Sequence, residues 1–284
     1  MKLAKAITLL MSITVGVVLT PRIVNPARYS FFWPKEYQLL RNIVAEIATA
    51  NDLGSESIRF SIVAGPTVAQ RANDLSLCRR DRESCWYYFN LNPFHTYKGA
   101  HAYEVNESIR QGLISGGLVG YVDHELNIGI GRSSFFHSKN KKKDLECLIA
   151  HELSHFLGKD SFQNRMDAYQ AKQDGSELDE SVLRKKFRRE SEINADITAA
   201  KMLFNVGRPM DTCIFARQRW LQSNGYQIVS EKNDSYPGYK KWMTTLFDFL
   251  EDSRSNPIKR TNLKTEGTWS FNRDLNVLTF TPLI

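Results

Sequence analysis

The run Glu146–Ser161, ECLIAHELSHFLGKDS, sets His151 and His155 four residues apart and constrains this chain more than any other feature. Residues at that spacing share a face on a helix, which brings the two imidazoles together. Leu145, Leu148, Ile149, Leu153 and Phe156 recur around them at helical spacing. The pattern predicts a helix from Asp144 to Leu157, closed by Gly158, with an apolar band turned to a core. Helical periodicity also marks residues 35–50 and about 179–205, 211–223 and 237–252. Strand signals fall elsewhere. Ser57–Gly65 (SIRFSIVAG) alternates and stops at Gly-Pro, while Leu118–Val122 and Leu126–Ile130 flank Asp123-His124-Glu125 as a hairpin. The stretch 68–106 is irregular and reads as a long loop with one strand at WYYFN. The end of the chain, GTWSFNRDLNVLTFTPLI, reads as a hairpin turning around residues 272–276. With strands mainly in the N-terminal half and helices in the C-terminal half, the class is α+β.

Two imidazole nitrogens on one helix face can hold a zinc ion, and Glu152, one step round, can reach a water beside it as general base. The same five residues are also open to a plainer reading, a helix carrying two structural histidines. A catalytic zinc site needs a third protein ligand. A metzincin would place it at position 161, but that residue is Ser161, and Asp160 comes one position early. Cys147 lies eight residues before His155, about 12 Å along a helix, too far to share an ion with bonds of ~2 Å. The remaining source is a second helix, where RRESEINADITAAKMLF offers Glu192 with Asp196 on the same face. Glu192 as ligand and Asp196 as the carboxylate that receives the second N–H of His151 meet the needs of such a site. An ordinary charged helix face is the alternative.

His151-Glu152-Leu153-Ser154-His155 together with Glu192-Ile193-Asn194-Ala195-Asp196 resembles the HExxH plus ExxAD pairing of gluzincin metallopeptidases. The likeness is to the family of the CAAX-prenyl proteases, the HtpX-like proteases and their periplasmic relatives. It implies a zincin-like metallopeptidase domain over residues 28–252, with a small N-terminal sheet, an active-site helix and a helical C-terminal half. A C-terminal β-hairpin extension would follow over 253–284. The resemblance implies one zinc ion per chain on His151, His155 and Glu192, with Glu152 activating water and Asp196 supporting a histidine. The implied activity is endopeptidase hydrolysis of extracytoplasmic proteins. The strand before the active-site helix, ELNIGIGRSS, would pair with an extended polypeptide substrate. One departure concerns the oxyanion: where relatives carry His-Pro this chain has Tyr236-Pro237, so the Tyr236 hydroxyl is the expected donor, with Lys241 as a nearby cation. The alternative function is a zinc-binding chaperone or interaction protein of the same fold that cleaves little. Retention of Glu152 weighs against it, because a structural zinc has no use for a base.

The formal net charge of +7 is concentrated in KNKKK (139–143) and RKKFRR (184–189). These read as a solvated loop and a solvated helix face, and no finger, recognition-helix or RNA-binding signature accompanies them, so nucleic acid is not an expected partner. Lys2 and Lys5 precede an uncharged apolar run from Ala6 to Leu19. Residues 1–27 are therefore predicted as a secretory signal or an N-terminal membrane anchor. Either places the remainder in the periplasm or another extracytoplasmic space, tethered to the inner membrane if the segment is retained. Cys78 and Cys85 can close a short surface loop, whereas Cys147 and Cys213 are open to pairing or to burial as thiols.

Overall fold

The computed structural model describes residues 33–79, 83–136, 141–223 and 238–283. In chain order the elements are α1 (Lys35–Ala48), β1 (Ile58–Val63), α2 (Pro66–Asp74), α3 (Glu83–Phe89), α4 (Ala102–Ser115), β2 (Gly120–Val122) and β3 (Asn127–Gly131). A 3₁₀ turn (Arg132–Phe135) follows, then α5 (Lys141–Gly158), α6 (Asp160–Gln173), α7 (Glu180–Asn205), α8 (Asp211–Ser223), α9 (Tyr239–Ser255), β4 (Gly267–Asn272) and β5 (Val277–Pro282). The fold is mixed α+β with one small sheet of five strands, ordered β2-β3-β1-β5-β4. β1 and β3 run parallel, and the other three pairings are antiparallel.

The alternation that marks β1 turns Ile58, Phe60 and Ile62 into the core and leaves Arg59 exposed. Ile128, Ile130, Leu278 and Phe280 join them from β3 and β5. Leu40, Ile43 and Ile47 of α1, Leu145, Ile149 and Leu153 of α5, and Ala199, Ala200 and Leu203 of α7 complete the same cluster. The apolar band of α5 is thus anchored in the core, and its other side is left to carry polar residues. The last hairpin is not appended to this body. β5 pairs with β1 along Ile58–Ser61, so the segment expected as an extension supplies two of the five strands. Tyr37 secures it by donating its hydroxyl to the Asn276 carbonyl at 2.6 Å.

Two local expectations differ from the structure. WYYF of the expected strand WYYFN is helical, within α3, because Cys85 and Tyr88, three residues apart, face a second cluster with Val68, Ala72, Val105 and Ile109. Aromatic strand propensity yields there to packing. Three helices, α2 to α4, occupy about half of the stretch that reads as a loop. Cys78 joins Cys85, and Cys147 joins Cys213. No helix among the described residues is long and apolar enough to cross a membrane. The N-terminal segment 1–27 lies outside those residues.

Candidate metal centre

The site forms where α5 crosses α7. Helical spacing stacks His151 over His155, and on α7 it stacks Glu192 over Asp196, so the crossing joins two pairs. His151 Nε2 and His155 Nε2 lie 3.0 Å apart. Glu192 Oε2 is 3.3 Å from the first and 3.7 Å from the second. Bonds of 2.0–2.1 Å at tetrahedral angles put ligand atoms about 3.3 Å from one another. The three donors have that spacing, and among the described residues His151, His155 and Glu192 form a buried group that can hold a metal ion.

Carboxylates on the other ring nitrogens orient the two histidines, with an Arg217 nitrogen also 3.3 Å from His151 Nε2. His151 Nδ1 donates to Asp196 at 2.8 Å, and His155 Nδ1 donates to Asp160 at 2.6 Å. With each Nδ1 proton committed, both Nε2 atoms of the neutral rings point lone pairs at one another and at a carboxylate, which calls for a cation between them. In the absence of a metal, protons take that role. Burial opposes the imidazolium of His155, but the hydrogen bonds it donates to Asp160 and Glu192 outweigh it and push its pKa up to about 10. Burial would raise Glu192, yet the two histidines hold its carboxyl well below the usual range. Glu152 is displaced the other way: burial pushes it up, with His151 and His155 only partly offsetting that. Its carboxylate packs on the backbone of β2, where a Cβ added to Gly120 would stand 2.5 Å from Glu152 Oε1.

Asp196 is held from three helices. Its partners are His151 of α5, Trp242 of α9 (Nε1–H donating at 2.8 Å) and Arg217 of α8, whose Nε and Nη2 donate at 2.8–2.9 Å. The Arg217 guanidinium lies 4.9 Å from the Trp220 ring centre and 5.0 Å from that of Trp242. One of its nitrogens sits against the His151 ring, 2.9 and 3.3 Å from the two ring nitrogens. Burial alone would raise Asp196, but the charges of Arg217 and His151 keep it below the ordinary aspartate value. The Cys147–Cys213 bond crosses from α5 to α8 one turn before His151 and one turn before Arg217, tying the two helices at that level. It also removes Cys147 from any ligand role.

Asp160 reaches His155 through a local device. Lys159 adopts a left-handed conformation (φ 49°) between α5 and α6, and the turn brings the Asp160 carboxylate back over the last turn of α5. Gly158 leaves room for it, since a Cβ there would stand 2.4 Å from Asp160 Oδ1.

The centre opens into a cleft of about 480 Å³. Residues 118–122, with Leu148, Ala216 and Trp220, make its apolar side, and Ser161, Asn164 and Arg165 of α6 with Arg184 and Arg188 of α7 its polar side. The strand beside the cleft is β2. The run ELNIGIGRSS supplies β3 instead, which has β1 on one edge and β2 on the other and so has no edge free for a further strand. Lys241, expected as the cation near an oxyanion, is exposed on α9 and does not line the cleft. Tyr236 lies outside the described residues.

His151, Glu152, His155, Glu192 and Asp196 thus come together. Sequence reasoning missed Arg217 and Trp242, which carry no local signal because their partner Asp196 is on another helix. It also missed the role of Asp160, whose signal was available: a carboxylate following His155 and a glycine. No family model, curated protein or solved structure matches this chain.

Proposed function

We propose that this protein is a zinc-dependent endopeptidase of the gluzincin type, with a zincin-like domain. One observation carries the reading: three donors at tetrahedral spacing, both histidines oriented by carboxylates, and a buried glutamate beside them in an open cleft. His151, His155 and Glu192 would hold the ion and leave a fourth position toward the cleft. Zinc held there supplies Lewis acidity, which polarises a scissile carbonyl and acidifies a water. Glu152, whose carboxyl burial raises above the ordinary glutamate value, takes the proton of the attacking water and passes it to the leaving amine. β2, the end strand of the sheet among the described residues, lies beside the cleft and pairs with the extended backbone of the substrate. Two disulfides favour an oxidising compartment, in keeping with an exported protein.

The test is zinc per chain in the purified protein, together with hydrolysis of an unfolded protein substrate by the parent and by Glu152→Gln. The expected result is about one zinc in both, with the variant slower by roughly 10²–10⁴-fold. A folded parent that takes up no zinc, or a Glu152→Gln protein that retains full activity, overturns the reading.

A further inference from the structure

Arg184, Arg188, Glu192 and Asp196 follow one another at intervals of four along α7, so the helix face that supplies a metal donor continues outward as arginines. All four line the cleft. Arg188 Nε lies 3.8 Å from Glu192 Oε1, and its side chain is 51% exposed. Arg184, 50% exposed, pairs with Glu180 on the solvent side, an exposed i,i+4 ion pair of the weak, exchangeable kind. From α6, Arg165 lines the same wall, and among the described residues no hydrogen bond or ion pair engages it. Of the carboxylates that line the cleft, Asp144 is committed to Arg219, Asp160 to His155 and Asp196 to Arg217, while Glu192 and Glu152 sit at the two histidines. One wall of the cleft is therefore cationic and the wall across from it, Leu118, Val119, Val122, Leu148 and Trp220, is largely apolar.

We propose that this wall selects polypeptide segments bearing carboxylates beside the scissile bond, spaced as acidic-x-acidic. The inference rests on the proposed use of the same cleft and adds a substrate class to it. Guanidinium groups bind carboxylates through paired N–H donors, and no other common peptide group matches them as well. The spacing follows from geometry. Four residues of helix advance about 6 Å, which separates Arg184 from Arg188. Two residues of extended chain advance about 6.6 Å and return to the same face. An extended segment lying along α7 therefore presents alternate side chains to successive arginines.

The experiment uses the full-length Glu152→Gln protein, so that binding is read without turnover. Fluorescence anisotropy compares two labelled, acetylated decapeptides that differ only as Glu-x-Glu against Gln-x-Gln, each with an amidated or a free C-terminus. The expected result is roughly tenfold tighter binding of the acidic peptide at low salt, the product of two or three exposed charge pairs of a few-fold each, fading as salt is added. The preference disappears when Arg165, Arg184 and Arg188 become Gln. It persists when three exposed lysines outside the cleft, Lys172, Lys240 and Lys259, become Gln and remove the same charge. A preference limited to the free C-terminus keeps the carboxylate chemistry and assigns it to a chain end. Equal binding of the acidic and neutral peptides, or equal loss in both triple variants, overturns the proposal. Because binding is read separately from hydrolysis, failure of either reading leaves the other standing: selective binding with no cleavage by the parent sinks the peptidase, and cleavage with no selectivity sinks the arginine wall.

Discussion

His151 and His155 differ by one helical turn and by everything that surrounds them. The carboxylate behind His151, Asp196, comes from a residue 45 positions away and also binds a buried arginine and a tryptophan. The carboxylate behind His155, Asp160, lies five positions on, is 23% exposed, and depends on a single left-handed residue and a glycine. Both orient an imidazole, but one is locked by three helices and the other by a turn. The contrast teaches that equal chemistry at a metal donor can rest on unequal mechanical support, and that damage to the two sides has different reach.

The largest effect is expected from Asp196→Ala. It leaves the Arg217 guanidinium buried with no carboxylate, a loss of about 3–5 kcal/mol, and weakens metal binding by roughly 10–100-fold. Chemical denaturation and a competitive zinc titration measure the two. Replacing Cys147 and Cys213 by Ser loosens the same side by freeing α8 from α5. For a span of 66 residues the expected loss is about 2–5 kcal/mol, read as a lower midpoint of unfolding. Asp160→Ala acts on the other side, and a destabilisation of about 1 kcal/mol with metal affinity reduced roughly tenfold is expected. Equal stability losses from Asp160→Ala and Asp196→Ala would break the comparison.

Acidity sharpens it further. In the metal-free protein His155 is protonated through neutral pH, its pKa being pushed up to about 10, so an incoming metal must displace that proton. Apparent affinity therefore rises with pH, by up to about tenfold per unit for each proton released, His151 being raised above the ordinary histidine value as well. Calorimetry in buffers of different ionisation enthalpy counts the released protons, and a metal affinity flat between pH 6 and 9 would contradict the assignment. The smallest effect is expected from Gly158→Ala. The added methyl meets the Asp160 carboxylate, so metal binding weakens a few-fold, while the helix end gains up to about 1 kcal/mol of propensity. Stability and affinity then move in opposite directions, which a general loss of structure does not produce.

The residues of the centre were legible because each pair is a local pattern. His151 with His155, and Glu192 with Asp196, declare themselves through the helical period, and the apolar band of α5 says which side turns inward. The helices α1, α7, α8 and α9 and the two hairpins were legible for the same reason. Local composition misled at WYYFN, where the burial of Cys85 and Tyr88 against α2 and α4 decides for a helix. It was silent on α6, whose exposed, polar surface has no strong period.

By itself, then, the sequence determined what repeats at three or four residues along one element: the pairs His151/His155 and Glu192/Asp196, the glutamate between the histidines, and the face each helix turns to the core. Tertiary structure alone decided what depends on elements meeting. It set Arg217 and Trp242 on Asp196, put β2 rather than β3 at the end of the sheet among the described residues, built the last hairpin into the sheet, and set the arginines of α7 along the wall of the cleft. Periodicity is a property of one helix or strand, whereas a buried charge finds its partner only when two of them pack.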